Sequence, residues 1–303
     1  MFKKFILPLT SLVFLIIGIR IIFDGQILVN TYKKESFFHH KLSFNSNSFN
    51  NKFNGIITGD SRTYYSFNPY IIKSNSKVSF MNMALPSNSY SKKYLSYIKN
   101  LIPINKEFTI IIALTPESLT RYEYTNAFDK YNKSFFKLNL IKNTFWPMVD
   151  IQQFLKWGTI PAFKLNKPKS FEIYHFNGWL ESYLPIKDRD ETALINHYKF
   201  IAEKYVIKPE IVNNIKNFIV NNKIKNKKLK FYFSWISFSK KIKKITEKTL
   251  FKNISKDKIN NILTNAGAKQ VILNQSYISI DGDHLSSEDA KDFSSNFVLH
   301  IDL

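Results

Sequence analysis

Two short segments, far apart in the chain, carry residue types suited to acyl transfer. The first is Gly59-Asp60-Ser61-Arg62, directly after an apolar run. The second is Ile280-Asp281-Gly282-Asp283-His284-Leu285-Ser286. A serine on a tight strand-to-helix turn presents its hydroxyl at the carboxyl edge of a sheet, where backbone N–H groups can stabilise an oxyanion. Gly-Asp-Ser alone is also ordinary turn chemistry. The second segment raises the case for catalysis. Asp281 and His284 are three apart, so within one turn a carboxylate can reach the imidazole and fix its tautomer. The other ring nitrogen then faces a nucleophile. Ser61, His284 and Asp281 together supply nucleophile, base and orienting carboxylate.

These groups need elements to hold them. Phe53–Thr58 reads as a strand ending at Gly59. Lys77–Met83 is a second, followed by a Pro/Ser/Asn loop at Leu85–Ser89. Phe108–Leu114 is a β-branched strand closed by Thr115-Pro116, Leu229–Ile236 a fourth strand and Gln270–Leu273 a short fifth. Helical patterns such as Tyr90–Leu101 and Lys256–Ala266 separate them. Continuous apolar strands alternating with helices indicate a parallel sheet covered on both faces, with ligands at the carboxyl ends of the strands. Residues 117–226, rich in aromatics and Lys and mostly helical in period, read as an insertion over one side of the sheet. Helical period is clearest there at Glu191–Lys204 and Pro209–Asn222. Trp146, Trp157 and Trp179 fall in the same stretch.

The pairing of Gly59-Asp60-Ser61 with Asp281-x-x-His284-Leu285-Ser286 resembles the SGNH/GDSL hydrolase superfamily, over about residues 53–115 and 229–299. The resemblance implies a flavodoxin-like three-layer α/β/α fold and a Ser61–His284–Asp281 triad. The family's second block carries a Gly whose N–H enters the oxyanion hole. In Asn82-Met83-Ala84-Leu85-Pro86-Ser87-Asn88 the Ser87 stands in that place, so the N–H groups of Ser61 and Ser87 are the expected donors. The family's third block carries an Asn, and Ala113-Leu114-Thr115-Pro116-Glu117 has none. Either Thr115 or another donor replaces it, or the oxyanion hole is weakened. Losing one such donor costs roughly 10²–10³ in rate.

The amino-terminal segment sets the expected location. Behind Lys3 and Lys4 runs an apolar stretch, Phe5–Phe23, whose only charge is Arg20. Nineteen residues at about 1.5 Å each approach a hydrocarbon core of ~30 Å. The lysines favour a cytoplasmic tip, and no Ala precedes Ala84 to suit a signal-peptide cleavage site. The expectation is a single-pass anchor in a bacterial inner membrane. Residues 25–52 then form a polar juxtamembrane stalk, and 53–303 an extracytoplasmic domain. In this setting the chain is similar to the alginate acetylation and teichoic acid D-alanine transfer proteins. That likeness implies a serine acyl esterase or O-acyltransferase, the acyl group acetyl, working on a cell-surface glycan or acylated polymer. A membrane acyl-donor protein is the expected partner of a transferase, since no cofactor site is evident. The rival class is a catalytically silent, membrane-tethered glycan-binding or assembly subunit.

Composition bounds the rest. The 303 residues are 44% hydrophobic and 22% charged, enough apolar content for a real core. The absence of cysteine removes thiolate metal sites, Cys nucleophiles and iron–sulfur clusters. Lys and Arg exceed Asp and Glu by 44 to 23, a net charge of +21. The lysine runs Lys223–Lys230 and Lys240–Lys244 come with no nucleic-acid motif and read as solvated faces, with anionic lipid or acidic glycan as the alternative contact. No nucleic-acid partner is expected. His39-His40 lacks further ligands nearby, so no metal is expected. His175, His197 and His300 read as structural or surface groups. Asp283 reads as a solvated or helix-capping carboxylate, and Asp60 as support for its turn.

Overall fold

The computed structural model describes residues 34–120, 127–132, 172–183, 205–236, 240–273, 279–281 and 283–303, with positions 195, 196, 198–200, 203 and 277. The apolar run 5–23, Trp146, Trp157, His197 and most of 117–204 lie outside the described residues. In chain order the elements are α1 (Lys34–Lys41), α2 (Ser46–Asn50), β1 (Gly55–Thr58), α3 (Ser61–Ser66), α4 (Pro69–Ser76), β2 (Phe80–Asn82) and α5 (Lys92–Leu101). Then follow β3 (Phe108–Leu114), the hairpin strands β4 (Glu172–Tyr174) and β5 (Leu180–Ser182), α6 (Pro209–Lys225), β6 (Leu229–Trp235), α7 (Lys240–Leu250), α8 (Lys256–Asn265), β7 (Lys269–Gln270) and α9 (Ser287–Val298).

The central sheet is parallel, in the order β2-β1-β3-β6-β7. Side chains of a strand alternate between faces, and both faces are apolar. Ile56, Ile110, Ile112, Phe231 and Phe233 pack with Leu95 and Ile98 of α5, Ile215 and Ile219 of α6, and Ile259 and Leu263 of α8. Ile57, Ile111, Ala113 and Tyr232 pack with Ile72 of α4 and Phe293 and Phe297 of α9. Helices therefore cover both faces, as continuous apolar strands require. The chain leaves β1 toward α4 on one face and reaches β3 from α5 on the other. The crevice between the carboxyl ends of β1 and β3 is thus a topological switch point, where ligands of open α/β sheets bind.

The five expected sheet strands all form. β3 keeps both expected ends, and the ends of the others shift by at most three residues. Two organisational expectations need correction. Residues 34–52 are no stalk: Phe37, Phe38 and Phe49 are fully buried in the larger core. These phenylalanines override the polar Asn and Ser between them because the latter take solvent positions and caps; Asn45, for instance, caps α2. Nor is 117–226 simply an insertion. Pro209–Lys225 is the crossover helix from β3 to β6, with Ile211, Val212, Ile215, Phe218 and Ile219 buried. Moreover, residues 172–182 form an antiparallel hairpin, not a helix.

The hairpin docks at the carboxyl end of β2, an edge strand of the sheet. The Asn82 N–H donates to the Asn177 carbonyl at 2.8 Å. Gly178, at φ 82°, approaches so closely that a Cβ there would lie 2.0 Å from the Asn82 carbonyl oxygen. Only glycine accommodates both constraints.

Candidate active site

The turn after β1 is built from its own residues. Asp60 caps α3: one carboxylate oxygen accepts from the Arg62 N–H at 3.1 Å. The other accepts from the Thr115 hydroxyl at 2.5 Å, tying the ends of β1 and β3 together. Burial pushes the Asp60 carboxyl up, and the Arg62 charge and the Thr115 bond oppose that shift without cancelling it. Gly59 packs against Thr63, where a Cβ would meet the threonine hydroxyl at 2.0 Å. Ser61 follows as the first residue of α3, so its N–H is one of the helix-start donors that have no carbonyl within the helix.

The histidine loop is held from below by α9. Ser294 on that helix accepts from the Asn68 N–H at 2.7 Å, and its hydroxyl lies 3.1 Å from the Ser66 carbonyl. This fastens α9 to the junction of α3 and α4. Phe67 packs edge-on against Phe293 and Phe297 in the same interface. Ahead of α9, the Ile280 N–H donates to the His284 carbonyl at 2.8 Å, closing a tight turn. Inside it, Asp281 Oδ1 accepts from the N–H groups of Asp283 (3.0 Å) and His284 (2.9 Å).

The two segments meet. His284 Nε2 stands 3.0 Å from Ser61 Oγ, and His284 Nδ1 stands 2.9 Å from Asp281 Oδ2. Because the ionised carboxylate can only accept, Nδ1 carries the proton and Nε2 is left as acceptor for the serine hydroxyl. Burial raises the Asp281 carboxyl, but the bonds and charge of His284 and the two backbone donors outweigh it, so Asp281 lies well below the usual carboxylate range. It stays ionised and can stabilise an imidazolium. Both links fall within the 2.6–3.2 Å reach expected of a nucleophile–base–orienter chain.

Comparisons of the chain with protein-family models, with curated proteins and with solved structures find no match. The functional reading therefore rests on the residues themselves.

The remaining expected positions divide. Ser87 lies exposed in the loop after β2 at φ 47°, a backbone conformation that favours glycine. That loop is tied to the nucleophile turn, since the Leu85 N–H and the Asn88 amide both donate to the Gly59 carbonyl, at 3.2 and 3.4 Å. Thr115 is fully buried, with its hydroxyl committed to Asp60, so it is a partner of the cap rather than an oxyanion donor. Asp283 is neither solvated nor a cap. It pairs with Arg62, the guanidinium Nε and Nη2 reaching its Oδ1 at 3.3 and 3.2 Å. A charge buried beside an acid shows no periodicity, so the sequence concealed this pair.

Sequence reading also missed Tyr65 and the hairpin. The Tyr65 ring lies 4.4 Å from the His284 ring, centroid to centroid, and its hydroxyl donates to Glu172 of β4. Trp179 is a core residue, its indole N–H donating to the Tyr65 carbonyl at 3.3 Å. His175 stacks on Trp179 and contacts Glu181 at 2.8 Å, a structural placement. His39 bonds the Tyr131 carbonyl, and His40 packs against Phe44 and Phe176. Among the described residues no group of three or more His, Asp or Glu is arranged to hold a metal, and no helix is long and apolar enough to cross a membrane.

Proposed function

We propose that the chain is an SGNH-like serine acyl esterase or O-acyltransferase, anchored by residues 5–23 in a bacterial inner membrane and acting on a cell-surface glycan or polymer. The observation that carries this reading is the unbroken chain from Asp281 through His284 to Ser61 at the carboxyl edge of the sheet. The sheet order agrees with the flavodoxin-like arrangement that the resemblance implies. Ser61 Oγ attacks an acyl carbonyl, acetyl in the first instance, as His284 Nε2 takes its proton. Asp281 holds the imidazole and its positive charge. The N–H groups of Ser61 and Ser87 bind the oxyanion. The imidazolium returns the proton to the leaving alkoxide, and the acyl group on Ser61 passes to water or to a glycan hydroxyl. In transfer, a membrane protein supplies the acyl donor.

A second reading is supported by Thr115. Its commitment to Asp60 leaves the third-block donor unreplaced among the residues after β3, which favours a silent, tethered glycan-binding subunit. A fluorophosphonate probe separates the two. The enzyme reading expects labelling at Ser61, and at least about 10³-fold loss of acetyl ester turnover in Ser61→Ala. No labelling of folded wild-type protein favours the binding subunit.

A further inference from the structure

Among the described residues, a dense cluster of buried charge outside the Asp281–His284–Ser61 chain surrounds Arg62. The Arg62 side chain is 9% exposed. Its Nη1 lies 2.6 Å from Glu117 Oε2, in the turn after β3. Its Nε and Nη2 hold Asp283 Oδ1. Nη2 also donates to the Tyr198 hydroxyl, which in turn donates to Asp283 Oδ2. Burial opposes the guanidinium charge, but Glu117, Asp283 and the other acidic neighbours outweigh that and keep Arg62 firmly protonated.

Such clusters are poor stabilisers. Desolvating the ions offsets most of their attraction, and apolar replacements of similar size are often as stable. What this cluster provides is register. The Asp281–His284 turn is stiff internally, because Asp281 accepts from its own turn. Those bonds do not aim the turn at Ser61. Arg62 follows Ser61, and Asp283 precedes His284, so their contact sits one residue from each end of the 3.0 Å serine–imidazole link. Nε and Nη2 of the planar guanidinium converge on Oδ1, and Tyr198 bridges Nη2 to Oδ2, so both carboxylate oxygens are held and direction is fixed as well as distance. Glu117 braces the guanidinium from the β3 side.

We infer that Arg62 is a positioning residue, which through Asp283 sets the placement of His284 Nε2 against Ser61 Oγ. The kinetic consequence rests on the acyl-transfer reading; the structural one does not. A displacement of about 1 Å at a reacting pair costs on the order of 10²-fold.

The test compares full-length wild type with Arg62→Met, Arg62→Lys, Asp283→Ala and the Arg62→Met/Asp283→Ala pair. Fluorophosphonate inactivation is followed for its maximal rate and half-saturating concentration. Each single variant is expected to lose about 10²-fold in rate with saturation unchanged. The pair is expected to be no slower than its worse member, since the two act as a unit. Arg62→Lys stays slow, because an ammonium keeps the charge but not the fork; full rescue by lysine overturns the positioning role. Asp283→Ala leaves Arg62 paired with Glu117 and is the variant expected to fold if Arg62→Met does not. Nitrogen-15 NMR of His284 Nε2, the acceptor of the Ser61 hydroxyl, reads placement without any reaction. A shift of that resonance toward the value of a ring nitrogen that accepts no hydroxyl, in folded Asp283→Ala, supports the inference, and an unchanged resonance overturns it. If wild type fails to label at Ser61, the acyl-transfer reading falls, while the NMR comparison still decides whether this contact orients His284.

Discussion

At the scale of single residues, the candidate site depends on buried polar groups whose donors and acceptors are matched to one another. Thr115 is the clearest case. Its hydroxyl satisfies a buried carboxylate oxygen of Asp60, and Asp60 in turn caps the helix that begins with Ser61. Removing the hydroxyl strands that oxygen in a place water does not reach. Thr115→Val is therefore expected to destabilise the fold by about 1–3 kcal/mol, measured by urea denaturation. If Thr115 were an oxyanion donor, the rate per folded molecule would fall by 10²-fold or more. The structure predicts a stability loss that exceeds any rate loss. Two local placements were legible in the sequence at this scale. Asp281 and His284 lie one turn apart, and Asp60 reads as support for the turn it occupies, which the structure makes a helix cap. The Arg62–Asp283 contact was not legible, because nothing in either segment records the side chain it faces 221 positions away.

At the scale of elements, the hairpin β4–β5 braces the site from outside the central sheet. Glu181 on β5 is its main fastening. The carboxylate accepts from Ser287 at the start of α9 (2.7 Å) and from Tyr183 (2.6 Å), and contacts His175 (2.8 Å). Burial raises its carboxyl, yet the bonds from His175, Tyr183 and Ser287 prevail and hold it down at about 2 against an ordinary value of 4.5. The sign follows directly. The folded group binds its proton more weakly than the unfolded one, so its contribution to stability is full above about pH 4.5 and is lost as pH falls toward 2. Glu181→Gln is expected to be less stable than wild type at neutral pH and to show a shallower stability loss between those limits. Parallel denaturation series at stepped pH read the difference. The one local signal for this hairpin is Asn177-Gly178 in its turn, where Gly178 takes φ 82° and its N–H donates to the His175 carbonyl at 3.0 Å. The strands are three residues each, too short for alternation to register, so the pair stood without flanking strands to read.

At the scale of the whole molecule, one apolar core reaches from the sheet into the segment ahead of β1. Phe49 packs on Phe44, Phe53 and Phe108, with ring centroids 5.0–6.4 Å apart. Lys41 of α1 is fully buried and donates to the Ala84 carbonyl at 2.7 Å, joining that segment to the loop after β2. Phe49→Ala is expected to cost about 3–5 kcal/mol in urea denaturation, where a stalk residue would cost nothing measurable. The sequence alone determined the alternation of apolar strands with helices, hence the parallel sheet, and it placed a serine at a strand-to-helix turn and a histidine one turn from a carboxylate, ahead of a helix. Those features are local, governed by backbone preference and side-chain period. The tertiary structure decided which residues share a pocket. It turned residues 34–52 inward, made 209–225 a crossover helix, set Tyr65 against His284 and joined Arg62 to Asp283. Each of these depends on contacts between segments distant in the chain, where apolar burial and charge pairing act across space and leave no regular spacing to read.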